Sequence, residues 1–279
     1  MVENIPLKTH VSNGLTIEGY SRAAVQTCWR INELKVGFDL GAQPWDFMGT
    51  STWFVSHAHL DHIAALPVYV SRRRMMKMDP PTIYLPPGSL DATEQLLRTF
   101  QRLDRGAMPC ELRVLQVGEV IELSRELLVE IVETKHTVPS VGFIVYERRK
   151  KLKPEFRELE GTQIRDLRLQ GVEVSAETRI PILGYTGDTS PAGLDHNPAF
   201  YKVRTLITEM TFLAPDHRRD LIHKHGHMHL MDYVRRADRF ENELIIAAHV
   251  STRYSDRQAQ HWLRKGLPGM LDGRLMLWI

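Results

Sequence analysis

The sequence predicts an α/β fold in a single domain over residues 1–279, and three observations support this prediction. Short apolar segments of β type alternate with helical patterns along most of the chain. The sequence contains no internal repeat, linker or low-complexity stretch. A content of 43% hydrophobic and 25% charged residues is typical of a globular fold. Uninterrupted alternation of strands and helices favours one layered core.

The first half of the chain supplies strands and two helices. Residues 15–21, 28–41 and 52–56 are β-type runs, the first two punctuated by glycine. Residues 61–74 have the pattern of a helix with Asp61 near its start, where a carboxylate suits the helix dipole.

The rest of the chain continues this alternation, with one interruption. The pattern predicts a helix over residues 89–104 with Ser89 as its candidate N-cap, and β-type segments return over residues 112–147. Dense charge at about residues 147–172 indicates an insertion. Later strands are predicted at residues 180–188, 204–212 and 243–251, and later helices at residues 229–242 and 256–265.

Net charge and cysteine content exclude several classes of protein. A net charge of +2 means that any affinity for nucleic acid must come from a local patch. Cys28 and Cys110 are too few for a disulfide framework or a thiolate zinc site, which favours a cytoplasmic protein. The N-terminus lacks the apolar core of a signal peptide, and no apolar stretch is long enough to span a membrane.

One short segment concentrates side chains that bind metals. In FVSHAHLDH, an apolar strand runs into His57, His59, Asp61 and His62. Such groups are costly to bury unless they are paired or coordinate a metal. Imidazole and carboxylate without thiolate suit zinc, manganese or iron in an open catalytic site. The segment therefore predicts a metal site.

Four other apolar strands also stop on a histidine or a carboxylate. Side chains at the same ends of neighbouring strands converge on one rim of an α/β fold. Taken singly, such a histidine is more often a hydrogen-bonded rim residue, and an aspartate in TGD is an ordinary turn residue. A centre with two metals needs more ligands than the FVSHAHLDH segment provides. This need favours metal binding by the residues at the ends of the other four strands. The residues are His136, Asp188, Glu209 and His249.

These motifs resemble those of the metallo-β-lactamase superfamily and, within it, the ribonuclease Z family in its short plant-type form. SHAHLDH is similar to the His-x-His-x-Asp-His motif, and FDLG, TGDTS and AAHVSTRYS are similar to the other superfamily motifs. TEMTF, with Glu209, and GHMH, with His227, resemble two features of ribonuclease Z. The resemblance extends over residues 15–254.

The resemblance implies an αββα four-layer sandwich that binds two divalent metal ions per subunit. Zinc is the first expectation, with manganese and iron as alternatives. Two metals can clamp a displacement at phosphorus, and they lower the pKa of a bound water to roughly 7. The resemblance assigns one metal to His57, His59 and His136, the second to Asp61, His62 and His249, and a bridging position to Asp188.

The same resemblance implies roles for residues around the metals. Asp61 would accept a proton from the attacking water. His227, held by Glu209, would donate a proton to the leaving 3′ oxygen. Asp39 would orient the histidine motif without binding a metal itself.

The implied activity is an endoribonuclease that removes the 3′ trailer of precursor tRNA, leaves a 3′-hydroxyl and acts as a homodimer. The insertion would serve as a compact exosite whose cations contact RNA phosphates. A solvated charged hairpin is the alternative interpretation of this segment. The candidate RNA contacts are Arg148, Arg149, Lys150, Lys151 and Lys153.

Two other functions are compatible with the same residues. A hydrolase of small phosphodiesters, such as cyclic nucleotides, would use the same metal ligands without an RNA exosite. A catalytically silent RNA-binding module would keep the metals for folding, although the intact ligand set with Glu209 and His227 argues against it.

Overall fold

The computed structural model describes residues 6–279. The prediction that no signal peptide is present rests partly on residues 1–5, which lie outside the described residues.

The strands are β1 (Lys8–Ser12), β2 (Leu15–Ala23), β3 (Gln26–Ile31), β4 (Val36–Leu40), β5 (Thr52–Phe54), β6 (Thr82–Leu85), β7 (Glu111–Val114), β8 (Val120–Ser124), β9 (Leu127–Glu133), β10 (Val141–Leu152), β11 (Ser175–Tyr185), β12 (Thr205–Glu209), β13 (Leu244–Ala248), β14 (Val250–Ser251) and β15 (Leu275–Leu277). The helices are α1 (Leu60–Ile63), α2 (Leu66–Met75), α3 (Leu90–Asp104), α4 (Gly161–Leu169), α5 (Pro191–His196), α6 (Arg219–Lys224), α7 (Leu230–Val234) and α8 (Asp256–Gly266).

The strands form two mixed sheets. The first sheet has the order β1-β2-β3-β4-β5-β6-β7, with β14 paired to β2, and it is parallel from β4 to β7. The second sheet has the order β15-β13-β12-β11-β10-β9-β8, and it is parallel from β11 to β15. The parallel strands β4, β12 and β13 are buried along their whole length, as expected for strands covered on both faces.

Aromatic side chains join the two sheets face to face. Phe38 of the first sheet lies 5.4 Å from Phe143 and 5.2 Å from Tyr185 of the second, measured between ring centroids. Phe54 lies 5.3 Å from Phe143. These fully or nearly fully buried rings belong to one apolar core between the sheets. Burying each such side chain contributes about 1.5–3 kcal/mol before conformational entropy is subtracted.

Helices cover the outer face of each sheet. On the first sheet, Tyr69 of α2 and Leu97 of α3 pack in one core with Trp53 of β5. On the second sheet, Tyr233 of α7 packs in another core with Leu206 of β12. The layers are therefore helix, sheet, sheet and helix, and the αββα prediction is confirmed. No helix within residues 6–279 has the length and apolar character needed to cross a membrane.

The structure corrects two predicted helices. The helix predicted over residues 61–74 is split into α1 and α2, because the backbone N–H of Ala65 donates to the carbonyl of Leu40 in β4 at 2.8 Å. Pro67 then starts α2, where its missing N–H is tolerated. The helix predicted over residues 229–242 ends after α7, and the chain tightens into a 3₁₀ turn at Ala237–Arg239.

The charged insertion prolongs a ladder of the second sheet. β10 and β11 remain paired as far as Leu152 and Ser175, and the connection between them contains α4. None of the residues of α4 is buried. The segment therefore projects as a hairpin with an exposed helical tip.

Candidate metal centre

Five strands deliver the candidate ligands to one edge of the sandwich. His57 follows β5, His136 follows β9 and Asp188 follows β11. Glu209 is the last residue of β12, and His249 lies between β13 and β14. β9 runs in the same direction as β11 because both pair antiparallel with β10. Carboxyl ends of these strands therefore meet, as the sequence pattern predicts.

The side chains at this edge form five overlapping sets whose donor atoms lie within 4.8 Å of one another, and two of these sets correspond to the predicted ligands of the two metals. We call these two sets the His57 group, which comprises His57, His59 and His136, and the Asp61 group, which comprises Asp61, His62 and His249. Asp188 lies between them. Its Oδ2 atom is 3.8 Å from Nε2 of His57, 3.5 Å from Nε2 of His62 and 3.3 Å from Nε2 of His249.

The protonation states of the His57 group and of Asp61 suit a bound cation, whereas at His62 burial is outweighed by the charges of Asp188 and Asp39, which raise its pKa well above the usual range. Burial lowers the pKa of His57 well below its usual range, and it also lowers the pKa of His59 and His136. Burial opposes ionisation of Asp61, but the hydrogen bond with His249 and the charge of His62 outweigh it and hold the pKa of Asp61 at about 2. Neutral imidazoles and ionised carboxylates are the forms that bind metal.

Nε2 of His57 is buried without a hydrogen-bond partner among residues 6–279. This nitrogen is inaccessible to solvent and points among the ligands of both groups. A buried polar atom of this kind is costly unless it is satisfied. The donor set contains only imidazole and carboxylate atoms, so the residues fit a divalent zinc, manganese or iron ion.

Asp39 lies behind His62 in a distortion of β4. Cys28 pairs with Leu40 and Trp29 with Phe38, which leaves Asp39 as an unpaired bulge residue with φ of +59°. This bulge aims the carboxylate at the metal motif. Asp39 accepts a hydrogen bond of 2.7 Å from Nδ1 of His62, so Nε2 of that ring is left facing the Asp61 group.

A second buried carboxylate, Glu209, holds His227. Oε1 of Glu209 accepts from Nδ1 of His227 at 3.1 Å and from the backbone N–H of Thr189 at 2.7 Å. Burial opposes protonation of His227, but the charge of Glu209 outweighs it and raises the pKa of His227 to about 9. Nδ1 of His227 is 4.0 Å from Oδ2 of Asp188, so this pair adjoins both groups.

Two glycines permit this close packing. Gly226 has φ of +69°, and a Cβ atom there would lie 2.6 Å from His136. Its carbonyl accepts a hydrogen bond of 2.9 Å from Nδ1 of His136. Gly187, with φ of +57°, approaches Ser56 so closely that a Cβ atom would lie 2.5 Å away. The Gly-His and Gly-Asp pairs of the motifs are therefore required by the backbone.

Two other histidines of the 223–229 segment, His223 and His229, are engaged elsewhere. Nε2 of His223 bonds to Asp232 at 2.9 Å. The buried His229 caps α7, where its Nδ1 accepts from the N–H of Met231 and its Nε2 donates to a backbone carbonyl. Only His227 and the rim residue His225 of this segment line the cleft of about 530 Å³ in front of the His57 group.

Comparisons with known proteins identify relatives of this chain. A family model described as "Beta-lactamase superfamily domain" matches residues 43–250. The tRNase Z TRZ1 of Arabidopsis thaliana is 34% identical over 268 residues, which cover 94% of each chain. The chloroplastic tRNase Z TRZ2 of the same plant is 35% identical over 85% of this chain and 68% of its own length.

The chain belongs to the ribonuclease Z family. Solved structures support the fold of this family member: the metallo-β-lactamase fold protein YhfI of Bacillus subtilis has a TM-score of 0.62, 13% identity and coverage of 92% of both chains. The short form of human tRNase Z has a TM-score of 0.53 and 16% identity, and it covers 88% of this chain and 93% of its own. The resemblance seen in the sequence motifs is thereby confirmed.

The candidate RNA contacts of this ribonuclease Z family member are not equivalent. Arg148 forms a salt bridge of 2.6 Å with Glu122, and Arg149 forms one of 2.7 Å with Glu147. No ion pair within residues 6–279 involves the three lysines of the insertion. The sequence could not distinguish these cations, because Glu122 lies on a different strand. The three lysines are Lys150, Lys151 and Lys153.

Three residues around the centre were missed by the sequence analysis. Ser56, Tyr185 and Thr211 each bring a buried hydroxyl to Asp39 or Glu209. Their positions inside SHAHLDH, beside TGD and inside TEMTF are a signal that was available. Hydroxyls were overlooked because they are not metal ligands.

Proposed function

We infer that this chain is a metal-dependent endoribonuclease that removes the 3′ trailer from precursor tRNA and leaves a 3′-hydroxyl. One observation carries this inference. The Glu209–His227 pair lies beside Asp188 and both candidate ligand groups, in a chain that aligns along 94% of its length with a protein named tRNase Z.

The residues that would hold the metals follow from the two groups. We propose one ion on the His57 group and one on the Asp61 group, with Asp188 between them. Zinc is the first candidate, and manganese and iron are alternatives, because affinity alone does not select among them. Bound divalent ions would supply Lewis acidity at phosphorus and an activated water at neutral pH.

The protein groups around the metals would handle protons and orientation. Asp61 would accept a proton from the attacking water, as the family resemblance implies. His227 lines the cleft, and Glu209 fixes its ring through Nδ1, so Nε2 can hold the proton for the leaving 3′ oxygen. Asp39 keeps His62 in a ligating orientation.

The cleft and the hairpin suit an RNA chain. Phe212 and Arg253 line the cleft, with the guanidinium of Arg253 5.8 Å from the ring centroid of Phe212. Aromatic and guanidinium planes of this kind stack on bases. Lys150, Lys151 and Lys153 of the hairpin are the proposed phosphate contacts, while the ion pairs of Arg148 and Arg149 make these two weaker candidates.

We also propose a homodimer, in which the hairpin of one subunit presents tRNA to the other. Trp45, Leu60 and Val68 lie close to the metal motif in the sequence and are 57%, 77% and 44% exposed. Exposed apolar side chains are candidates for an association surface when they form one patch. The mass of the protein in solution, measured by light scattering, tests this proposal. The cytoplasmic location stays a prediction.

A cleavage assay tests the function. Purified protein, with and without added zinc or manganese, is incubated with a precursor tRNA that has a 3′ trailer, beside the Asp188→Ala variant. A single cut after the discriminator base, absent from the variant, is expected. If RNA stays intact while a bis-aryl phosphodiester is hydrolysed, the small-phosphodiester alternative holds. If neither substrate is hydrolysed by protein that binds RNA, the silent-module alternative holds.

A further inference from the structure

A hydroxyl connects Asp39 to a second metal-ligand candidate. Oγ of Ser56 lies 2.9 Å from Oδ2 of Asp39 and 3.1 Å from Nδ1 of His57. Oδ2 is the same carboxylate oxygen that accepts from His62. Asp39 thus reaches His62 directly and His57 through one hydroxyl. All four side chains are buried.

The same arrangement recurs around Glu209. Oγ1 of Thr211 hydrogen-bonds to Oε2 of Glu209 and lies 3.2 Å from Nδ1 of His249. Oε1 of Glu209 accepts directly from His227. Each buried carboxylate therefore holds one imidazole directly and a second imidazole through a hydroxyl. The two second imidazoles belong to different ligand groups, His57 to one and His249 to the other.

The direction of these hydrogen bonds is determined by the donors available. An ionised carboxylate only accepts, and a hydroxyl has a single proton. The hydroxyls of Ser56 and Thr211 must therefore donate to Asp39 and Glu209. Each hydroxyl oxygen then accepts a hydrogen bond from the imidazole, which places the hydrogen of His57 and of His249 on Nδ1. Both Nε2 atoms point at Asp188 and the ligand cluster, and a bound ion would take the place of the 3.3 Å hydrogen bond between Nε2 of His249 and Asp61.

We propose that Ser56 and Thr211 are positioning residues that fix the ligating tautomer of His57 and His249, one for each metal ion. This inference rests on the proposed two-metal centre. Without the hydroxyl, the buried Nδ1–H has no acceptor, and the imidazole gains by moving its proton to Nε2 or by rotating. Either change removes a lone pair from the centre. Residues that support metal ligands in this way typically change metal affinity by about 10–100-fold.

The test compares Ser56→Ala and Thr211→Val with two further variants. Thr211→Ser retains the hydroxyl and should restore the properties of the unsubstituted protein. Thr27→Val is the matched control, because Thr27 is a buried threonine whose hydroxyl faces Ser21 and no histidine. Circular dichroism selects the folded variants, and the Thr211→Ser and Thr211→Val pair keeps the test valid if Ser56→Ala fails to fold.

Two measurements that do not depend on activity give the answer. Zinc affinity is measured by competition with a chromophoric chelator. In Ser56→Ala and in Thr211→Val, the affinity for one of the two zinc ions should fall about 10–100-fold. Long-range ¹H–¹⁵N spectra of the zinc-loaded protein should show His57 and His249 protonated at Nδ1. Thr27→Val and Thr211→Ser should resemble the unsubstituted protein in both measurements.

Failure of this inference differs from failure of the proposed function. If the unsubstituted protein binds two zinc ions and cuts precursor tRNA, but Ser56→Ala and Thr211→Val bind zinc equally well, only the positioning role is overturned. The same holds if Thr211→Ser binds as weakly as Thr211→Val. If the unsubstituted protein binds no zinc, manganese or iron, the metal centre and the positioning role are both overturned.

Discussion

Asp39 and His62 form a buried hydrogen bond of 2.7 Å between a carboxylate and Nδ1 of an imidazole, and neither side chain is accessible to solvent. The bond connects a bulge in β4 to the start of α1, across 23 residues of sequence. A charge buried this deeply is expensive unless its partners are fixed. The relationship therefore predicts a strict requirement for a carboxylate at this position.

Replacing Asp39 with asparagine should weaken zinc binding by about 10–100-fold without unfolding the protein. Asparagine tolerates the φ of +59° at this position, so the backbone can be retained. Its carboxamide carries no charge and offers a donor where an acceptor is needed. Chelator competition measures the effect, and Asp46→Asn, at an exposed carboxylate, is the control. Unchanged zinc affinity in Asp39→Asn contradicts the prediction.

Replacing His227 with alanine should separate metal binding from catalysis. His227 is assigned to proton donation rather than to either group, so zinc binding should be retained while cleavage falls by about 10²–10⁴-fold. Glu209→Gln should act in the same direction, since Glu209 orients His227. Single-turnover cleavage and zinc stoichiometry are measured on the same preparations. Loss of one zinc equivalent from His227→Ala would make His227 a ligand instead.

Removing the three lysines of the hairpin should weaken RNA binding and its salt dependence. Lys150, Lys151 and Lys153 replaced together by alanine should reduce the slope of log affinity against log salt by about 2–3, because each phosphate contact contributes roughly 0.7–0.9. Arg148→Gln with Arg149→Gln is the comparison, and its effect should be smaller because both arginines form ion pairs. Hydrolysis of a small diester should not change in either variant. Equal salt slopes in all proteins would exclude the hairpin as an exosite.

Adding zinc should raise the thermal stability of the metal-free protein. A ligand at 100 times its dissociation constant stabilises the folded state by about 2.7 kcal/mol, which corresponds to roughly 5–10 °C in Tm for a chain of this size. Asp188→Asn should reduce the shift, because Asp188 lies between both groups. Calorimetry with and without a chelator measures the shift. A Tm insensitive to the chelator argues against a bound ion.

Asp195 should make the thermal stability of the protein depend on pH in the acidic range. Hydrogen bonding from Arg236 lowers the pKa of Asp195 from 3.8 to about 2 in the folded protein. The resulting stabilisation is complete above pH 3.8 and disappears as the pH falls through 2. Asp195→Asn should therefore lower Tm by roughly 1–3 °C at pH 6, with the difference closing between pH 4 and 2. The exposed Asp238→Asn control should leave Tm unchanged at both ends of this range.

Sequence patterns predicted the strands that end at the candidate metal centre. An apolar run indicates a buried strand, and the histidine or carboxylate after it indicates which end of the strand lies at the site. The patterns could not predict that α1 and α2 separate, since that break depends on a hydrogen bond from Ala65 to β4. The ion pair between Arg148 and Glu122 likewise depends on strand pairing. The Ser56 and Thr211 hydroxyls became informative only when their distances to two partners were known.

The carbonyl of Gly226 binds His136, and the next residue in the chain is His227. A single peptide unit thus connects a candidate metal ligand to the proposed proton donor. The orientation of the His136 ring and that of the His227 ring therefore depend on the same short piece of backbone. A substitution that alters the backbone at Gly226 would disturb both residues at once.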